Sequence, residues 1–582
     1  MQNSSPTRPR TLCEAFQRTA AQFPDRVALR TADGGVEVTW RQYRDRVQSI
    51  ATGLAGLGVG PGDTVALMMT NRPEFHLCDT AVLHTGATPF SIYNTNPPEM
   101  VSYLFDNAEN RVVICEQQFL PVVSAAMASG GKVEHVICVD GSPERTIGLA
   151  ELERRPSPGF DFDQAWRSVQ PDDVLTIVYT SGTTGPPKGV ELTHTNFIEN
   201  ARITEEFGGM SFEDRAISYL PDAHAANRWF THYQNLLYGV QISTLDDAKQ
   251  ILDALSSVRP TLFLGVPRVW IKAKAGLEAA VAQERPLRRA LAGWAFAAGR
   301  SPARGPLATL RRALADRLVL SAVRARLGLD QARIAVTGAA PIPAEVHAFI
   351  LGLGITLCEG YGMSECTAGA TVHRPGDIRV GTVGTPLPGV EVRVAADGEI
   401  LVRGDNVMRR YRKDPDKTAE AIDADGWLHT GDIGEFDADG HLRVIDRKKE
   451  LIINAAGKNM SPTNIENAIA ANTPLAGPVM AIGDARPYNT ALITLDPDEV
   501  TKIDGSKTIA QLATDSRVHE AIDAGIKAAN AQLSRVEQIK KFTVLPDVWE
   551  PGSPHLTPTG KLKRKPIVAT YADVIEAMYS QP

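Results

Sequence analysis

Cysteine is scarce in this 582-residue chain. Cys13, Cys78, Cys115, Cys138, Cys358 and Cys366 are scattered, with no C-x-x-C pair. Neither a disulfide framework nor a zinc site is indicated, and a reducing compartment fits. No run of 18 apolar residues occurs, so no transmembrane helix is expected. The first ten residues carry Arg8 and Arg10 but no apolar stretch of roughly 7–15 residues, so no secretory signal is expected either. Excess positive charge is missing as well. With 61 Lys+Arg against 68 Asp+Glu the net charge is −7, which argues against a dedicated nucleic-acid binder. Fixed-period repeats and low-complexity tracts are lacking, which excludes solenoids and disordered linkers. A cytoplasmic protein of several subdomains remains.

What is present reads as an α/β chain, short apolar strands alternating with amphipathic helices. Val174-Leu175-Thr176-Ile177-Val178-Tyr179 reads as a buried strand entering a polar loop. Ile334-Ala335-Val336-Thr337 and Ile355-Thr356-Leu357-Cys358 read as two more. Near residue 390 the texture changes to hairpins, centred on Asp397-Gly398 and Asp439-Gly440. Ser461-Pro462 predicts an N-cap and the first helical position of a helix. The main boundary is placed at Asp446-Arg447-Lys448-Lys449, giving domains 1–446 and 447–582.

Residues 284–326 hold ten arginines against Glu284 and Asp316 on an Ala/Leu background. Two expectations stand for this stretch. One is a plain solvated helical face; the other is a basic amphipathic surface in peripheral contact with a membrane.

The most informative segment is Tyr179-Thr180-Ser181-Gly182-Thr183-Thr184-Gly185-Pro186-Pro187-Lys188-Gly189. Four small hydroxyls, three glycines and a lysine follow a strand directly. Glycines let backbone approach an anion, hydroxyls donate to phosphate oxygens, and lysine adds a point charge. The spacing fails the G-x-x-x-x-G-K-[ST] pattern of a P-loop, because Pro186-Pro187 separates Gly185 from Lys188.

This loop resembles the signature of the adenylate-forming superfamily of acyl-CoA synthetases, adenylation enzymes and luciferases. Six further segments follow in the family's order. They begin at Leu220, Gly338, Glu359, Gly426, Asp446 and Leu556, and read LPDAH, GAAP, EGYGMSE, GWLHTGD, DRKKELI and LTPTGK. The resemblance implies a large N-terminal domain, with two α/β sheets and a β-rich subdomain, and a small mobile α+β C-terminal domain.

It also implies roles. Thr180, Ser181, Gly182, Thr183, Thr184, Gly185 and Lys188 would hold the ATP phosphates. Glu365 would be the Mg²⁺ carboxylate, with Thr184 a second oxygen ligand. Gly338, Ala339, Ala340, Glu359, Gly360, Tyr361, Gly362 and Ser364 would form the nucleotide site, with Tyr361 stacked on adenine. Asp432 would accept from the ribose hydroxyls, and Arg447 would reach ribose or phosphate. Lys561 would be the catalytic lysine, Lys449 the hinge, and Gly457 part of the CoA channel.

Residues 260–270 look like the long-chain fatty acyl-CoA synthetase branch. That implies activation of a fatty acid to acyl-AMP with release of pyrophosphate, then transfer to CoA. His224, Trp229 and Trp270 would line the acyl pocket. A ligase loading an acyl carrier protein, or acting on another carboxylic acid, is the alternative. Asp222, Asn227 and Gly560 depart from the branch: Asp222 stands where an apolar residue is usual, Asn227 where Glu often precedes Arg228, and Gly560 where Leu or Met is common.

Overall fold

The computed structural model describes residues 8–180, 186–301, 305–454 and 458–580. The expectations for Ser181, Gly182, Thr183, Thr184, Gly185 and Gly457 therefore lie outside the described residues.

The first α/β layer is a parallel five-stranded sheet. It runs in the order Thr88–Ser91, Thr64–Met68, Val112–Cys115, His135–Cys138, Ile147–Gly148. Every residue of Thr64–Met68 and Val112–Cys115 is buried, as expected where helices cover both faces. The second is built around the parallel strands Leu262–Leu264, Ile334–Thr337 and Leu357–Tyr361, with Thr371–Val372 and Thr385–Pro386 added antiparallel. A separate sheet aligns Arg215–Ser218, Gln241–Thr244, Val27–Thr31 and Glu37–Thr39. The strand expected to start at Ile355 starts instead at Leu357, although Ile355 and Leu357 are buried in the same core.

The β-rich part is an antiparallel sheet of Glu391–Val394, Glu399–Arg403, Leu428–Phe436 and Leu442–Arg447. Both Asp-Gly turns close their hairpins with the glycine at positive φ, +86° at Gly398 and +84° at Gly440. The last strand of this part packs on a core ending at Leu442 and Val444. A new apolar core begins at Ile452 and is built on the sheet Ala476–Ile482, Asn489–Leu495, Ile539–Val544.

Helix Pro462–Asn472 contributes Ile465 and Ile469 to that core. Ser461 accepts the Asn464 N–H at 3.0 Å, and Asp446 accepts the Thr463 N–H at 3.1 Å. Asp446, on the strand of the larger part, thus caps the first helix of the smaller one. Across the same junction Arg268 pairs with Asp496 at 2.8 Å and Lys272 with Asp498 at 3.6 Å.

Candidate active site

Strand ends deliver most of the site. Thr180 ends the strand Val174–Thr180 and is paired in register with Lys188, the first residue of Lys188–Thr193. The Lys188 ammonium sits 4.4 Å from the ring centroid of Tyr411. The phenol of Tyr411 in turn donates to Glu365 Oε1 at 2.8 Å. Glu365 lies in the single turn Ser364–Cys366 and is buried. Sequence reasoning missed Tyr411. It reaches Glu365 because Arg410–Tyr411 adds antiparallel to Lys188–Thr193, with Tyr411 opposite Val190.

Close backbone packing explains the small residues. A Cβ at Gly338 would lie 2.9 Å from the Gly360 carbonyl oxygen, and one at Gly362 only 2.5 Å from the Ala368 carbonyl. Ala339 adopts φ +65°, a left-handed conformation, and both Ala339 and Ala340 face solvent. Glu359 is buried and accepts the Ile342 N–H at 3.2 Å; burial pushes its pKa up to about 8.

Asp432 and Arg447 face each other across adjacent strands, Asp432 Oδ1 lying 3.6 Å from Arg447 Nε. The Tyr361 phenol donates to Asp432 Oδ2 at 2.7 Å. Burial raises the Asp432 pKa, while Tyr361, Arg447 and Lys561 oppose the shift.

Lys561 arrives from the smaller part on a tight loop closed by pairing of Leu556 with Leu562. The Lys561 N–H bonds Thr557 Oγ1 at 3.0 Å, and Gly560 turns the chain at φ +76°. That conformation disfavours the Leu or Met usual here, so the departure at Gly560 has a backbone cause. Lys561 keeps solvent-accessible surface although many protein atoms surround its ammonium. Desolvation, then the charge of Arg447, lowers its pKa; Asp432, Glu365 and Glu450 pull the other way. No described side chain bonds its ammonium. Arg564, three residues on, pairs with Glu466 at 2.7 Å and with Glu450 at 3.3 Å. Lys449 is exposed in the turn after Arg447, where Glu450 N–H bonds the Arg447 carbonyl.

His224 lies close enough for the Lys561 charge to act on it; burial first, and that charge second, lower its pKa to about 4. It caps the short helix Ala225–Asn227 by accepting the Ala226 N–H at 3.2 Å. Trp229 lines a narrow gap with Val178, Phe197, Ala225 and Tyr233 that has room for one water at most.

Trp270, expected at the acyl pocket, is 1% exposed, donates to the Gly265 carbonyl at 2.8 Å and packs edge-on against Phe263, within the core of the second α/β layer.

The departures at Asp222 and Asn227 are mutual. Asn227 Nδ2 donates to Asp222 Oδ1 at 2.7 Å, and Asn71 Nδ2 approaches Oδ2 at 3.3 Å. The neighbouring Arg228 guanidinium is committed to Asp79 at 2.7 Å, and His232 also bonds Asp79. Asp222 is therefore buried without a cation of its own, and desolvation pushes its pKa up to about 7.

Among the described residues no group of three or more acidic, histidine or cysteine side chains could hold a metal unaided. Glu365 is the buried carboxylate that the Tyr411 phenol ties to Lys188. A hard cation that keeps waters and takes substrate phosphate oxygens, as Mg²⁺ does, fits so sparse a donor set.

Residues 16–412 match the AMP-binding enzyme family, and residues 449–582 match the AMP-binding enzyme C-terminal domain. The fadD11 protein of Mycobacterium tuberculosis, which bears a provisional fatty-acid–CoA ligase name, is 50% identical over 449 residues (75% of this chain, 79% of that one). Long-chain-fatty-acid–CoA ligase FadD15 of Mycobacterium bovis is 35% identical, with 96% of this chain and 95% of that one covered. The crystal structure of the anthranilate–CoA ligase AuaEII with anthranoyl-AMP superposes with a TM-score of 0.72 at 20% identity, covering 98% of this chain and 99% of that one. A Mycobacterium tuberculosis fatty acyl CoA synthetase gives 0.64 at 24%, covering 97% and 99%. At such identities the structures speak for the fold.

Proposed function

The chain belongs to the AMP-binding enzyme family, and on that footing we propose that it is a long-chain fatty acid–CoA ligase forming AMP. The observation that carries this reading is the Lys561 ammonium, unpaired among the described residues and within electrostatic reach of Arg447, Asp432 and Glu365. The fatty character of the acid rests on the names of the relatives and on residues 260–270.

A carboxylate oxygen attacks the α-phosphorus of ATP, the bond to the bridging oxygen breaks, and pyrophosphate leaves. Two anions must approach, so charge has to be neutralised where they meet. Lys561 bridges the carboxylate and the α-phosphate. Asp432, fixed by the Tyr361 phenol, accepts from the ribose hydroxyls, and Arg447 approaches ribose or phosphate from the opposite strand. Lys188, with Thr180, Ser181, Gly182, Thr183, Thr184 and Gly185, takes the β- and γ-phosphates. Tyr361 also stacks on adenine, against the backbone of Gly338, Ala339, Ala340, Gly360 and Gly362; Glu359 and Ser364 complete that wall. Glu365, with Thr184, would hold Mg²⁺, which when bound spreads the phosphate charge.

In the second step the CoA thiolate attacks the acyl carbonyl and AMP leaves. Lys449 is the hinge on which the smaller domain, residues 447–582, turns between the two steps, and Gly457 lines the thiol channel. His224, Trp229 and Trp270 border the acyl chain. A cytoplasmic site of action accords with the free, buried cysteines.

Mass spectrometry of products from purified protein, Mg-ATP and palmitate tests the reading. Palmitoyl-CoA and AMP appearing only with CoA is the expected result. Palmitoyl-adenylate that persists despite CoA would replace CoA by a carrier protein, and no product with any fatty acid would transfer the chemistry to another carboxylate.

A further inference from the structure

Every leucine among the strongly exposed large apolar side chains lies between residues 287 and 318. Helix Pro286–Arg300 buries Ala295, Phe296 and Ala298 in the core of the second α/β layer and leaves Leu287 (87% exposed) and Leu291 in water. Packed beside it, Pro306–Ala315 runs on through the π-helical segment Asp316–Leu320. There Leu307 (83% exposed), Leu310, Leu314 and Leu318 recur at intervals of three, four and four, a single stripe on the outward side. Ala315 and Leu320 supply the inward side.

The charge around this stripe has one sign. Residues 284–326 carry +8 within a chain of net −7, so the rest of the molecule carries −15. The two acids of the stretch are already engaged, Glu284 with Arg288 at 3.6 Å and Asp316 with Arg324 at 2.6 Å. Arg285, Arg311, Arg312 and Arg317 form no ion pair with a described residue. On the helical period Arg311 and Arg317 flank the leucine stripe on opposite sides.

We propose that this two-helix face docks the protein on an anionic phospholipid bilayer, the leucines entering the headgroup–acyl boundary and the arginines meeting lipid phosphates. The combination of an apolar stripe with unpaired guanidinium groups is complementary to that surface. No described helix is long and apolar enough to cross a membrane, so the contact lies on the bilayer. The rest of the molecule, being acidic, is repelled by the same lipids, which orients the face toward them. A second copy of this chain is a poor occupant, because two cationic faces would meet.

The test uses the full chain, without substrates, and sedimentation with vesicles of phosphatidylcholine or of phosphatidylcholine with about 30% phosphatidylglycerol. Binding at least about tenfold stronger on the anionic vesicles, weakening as salt rises, is the expected result. The variant Leu307→Gln/Leu310→Gln/Leu314→Gln and the variant Arg311→Glu/Arg317→Glu should each lose most of it while keeping the wild-type melting temperature. Equal binding to both vesicle types, no binding, or binding unchanged in either variant overturns the proposal. So does a dimer in solution that the leucine variant dissolves without any vesicle binding by the parent.

Discussion

The Tyr411 phenol bonds the Glu365 carboxylate at 2.8 Å while its ring face receives the Lys188 ammonium at 4.4 Å. One side chain therefore ties the cation at the foot of the loop proposed to hold phosphate to the carboxylate proposed for Mg²⁺. A hydrogen bond to a charged group is worth about 1.5–3 kcal/mol. Tyr411→Phe keeps the ring under Lys188 and frees Glu365, so the Mg²⁺ concentration needed for half-maximal adenylation should rise about tenfold or more. A magnesium titration of pyrophosphate release checks this. An unchanged midpoint would mean that Glu365 is oriented by something else.

Lys561→Ala should lower adenylation about 10²–10³-fold, the scale for one preorganised charge donor. Thioester formation from supplied acyl-adenylate should be nearly spared. Because the lysine pKa is lowered, the alkaline limb of adenylation should fall below the ordinary lysine value. Single-turnover rates of the two half-reactions decide; equal loss in both removes the assignment.

Lys449→Pro restricts the backbone in the turn assigned as the hinge. The two half-reactions should then change by different factors, since one pose is favoured over the other. Unchanged rates for both would place the hinge elsewhere.

Asp222 gives a stability prediction with a defined sign. Its folded pKa, about 7, lies above the ordinary aspartate value of 3.8, so folding takes up a proton between those limits. The contribution is complete at low pH and is lost as pH rises from about 4 to 7. Asp222→Asn keeps an acceptor for Asn227 but does not titrate. The urea-unfolding free energy of this variant, minus that of the parent, should grow by about 2–4 kcal/mol between pH 4.5 and 7.5. A flat difference would show that the carboxylate is ionised at no penalty.

Local chemistry was readable from the chain wherever it is sufficient. The Asp-Gly turns at Gly398 and Gly440 and the Ser461 cap need only neighbouring residues, and all three form as the sequence predicts. Long-range placement was not. Tyr411 stands 46 residues from its partner Glu365, and only the pairing of distant strands unites them. Trp229 and Trp270 carry the same side chain, and only burial separates the one beside a gap from the one inside the core. The oddities at Asp222 and Asn227 become one feature once the bond between them is seen, five residues apart around a helix cap.

Arg564 has a mechanical consequence. By clamping Glu450, just past Lys449, and Glu466 on the helix Pro462–Asn472, it fastens the Lys561 loop to the smaller part. On the proposed hinge Lys561 would be cargo on a rigid arm, withdrawn by rotation of the arm rather than by a change of its own rotamer. Each swing would then take the ammonium out of the cleft as a thiolate comes in, so that electrostatic reset and domain movement would be a single event.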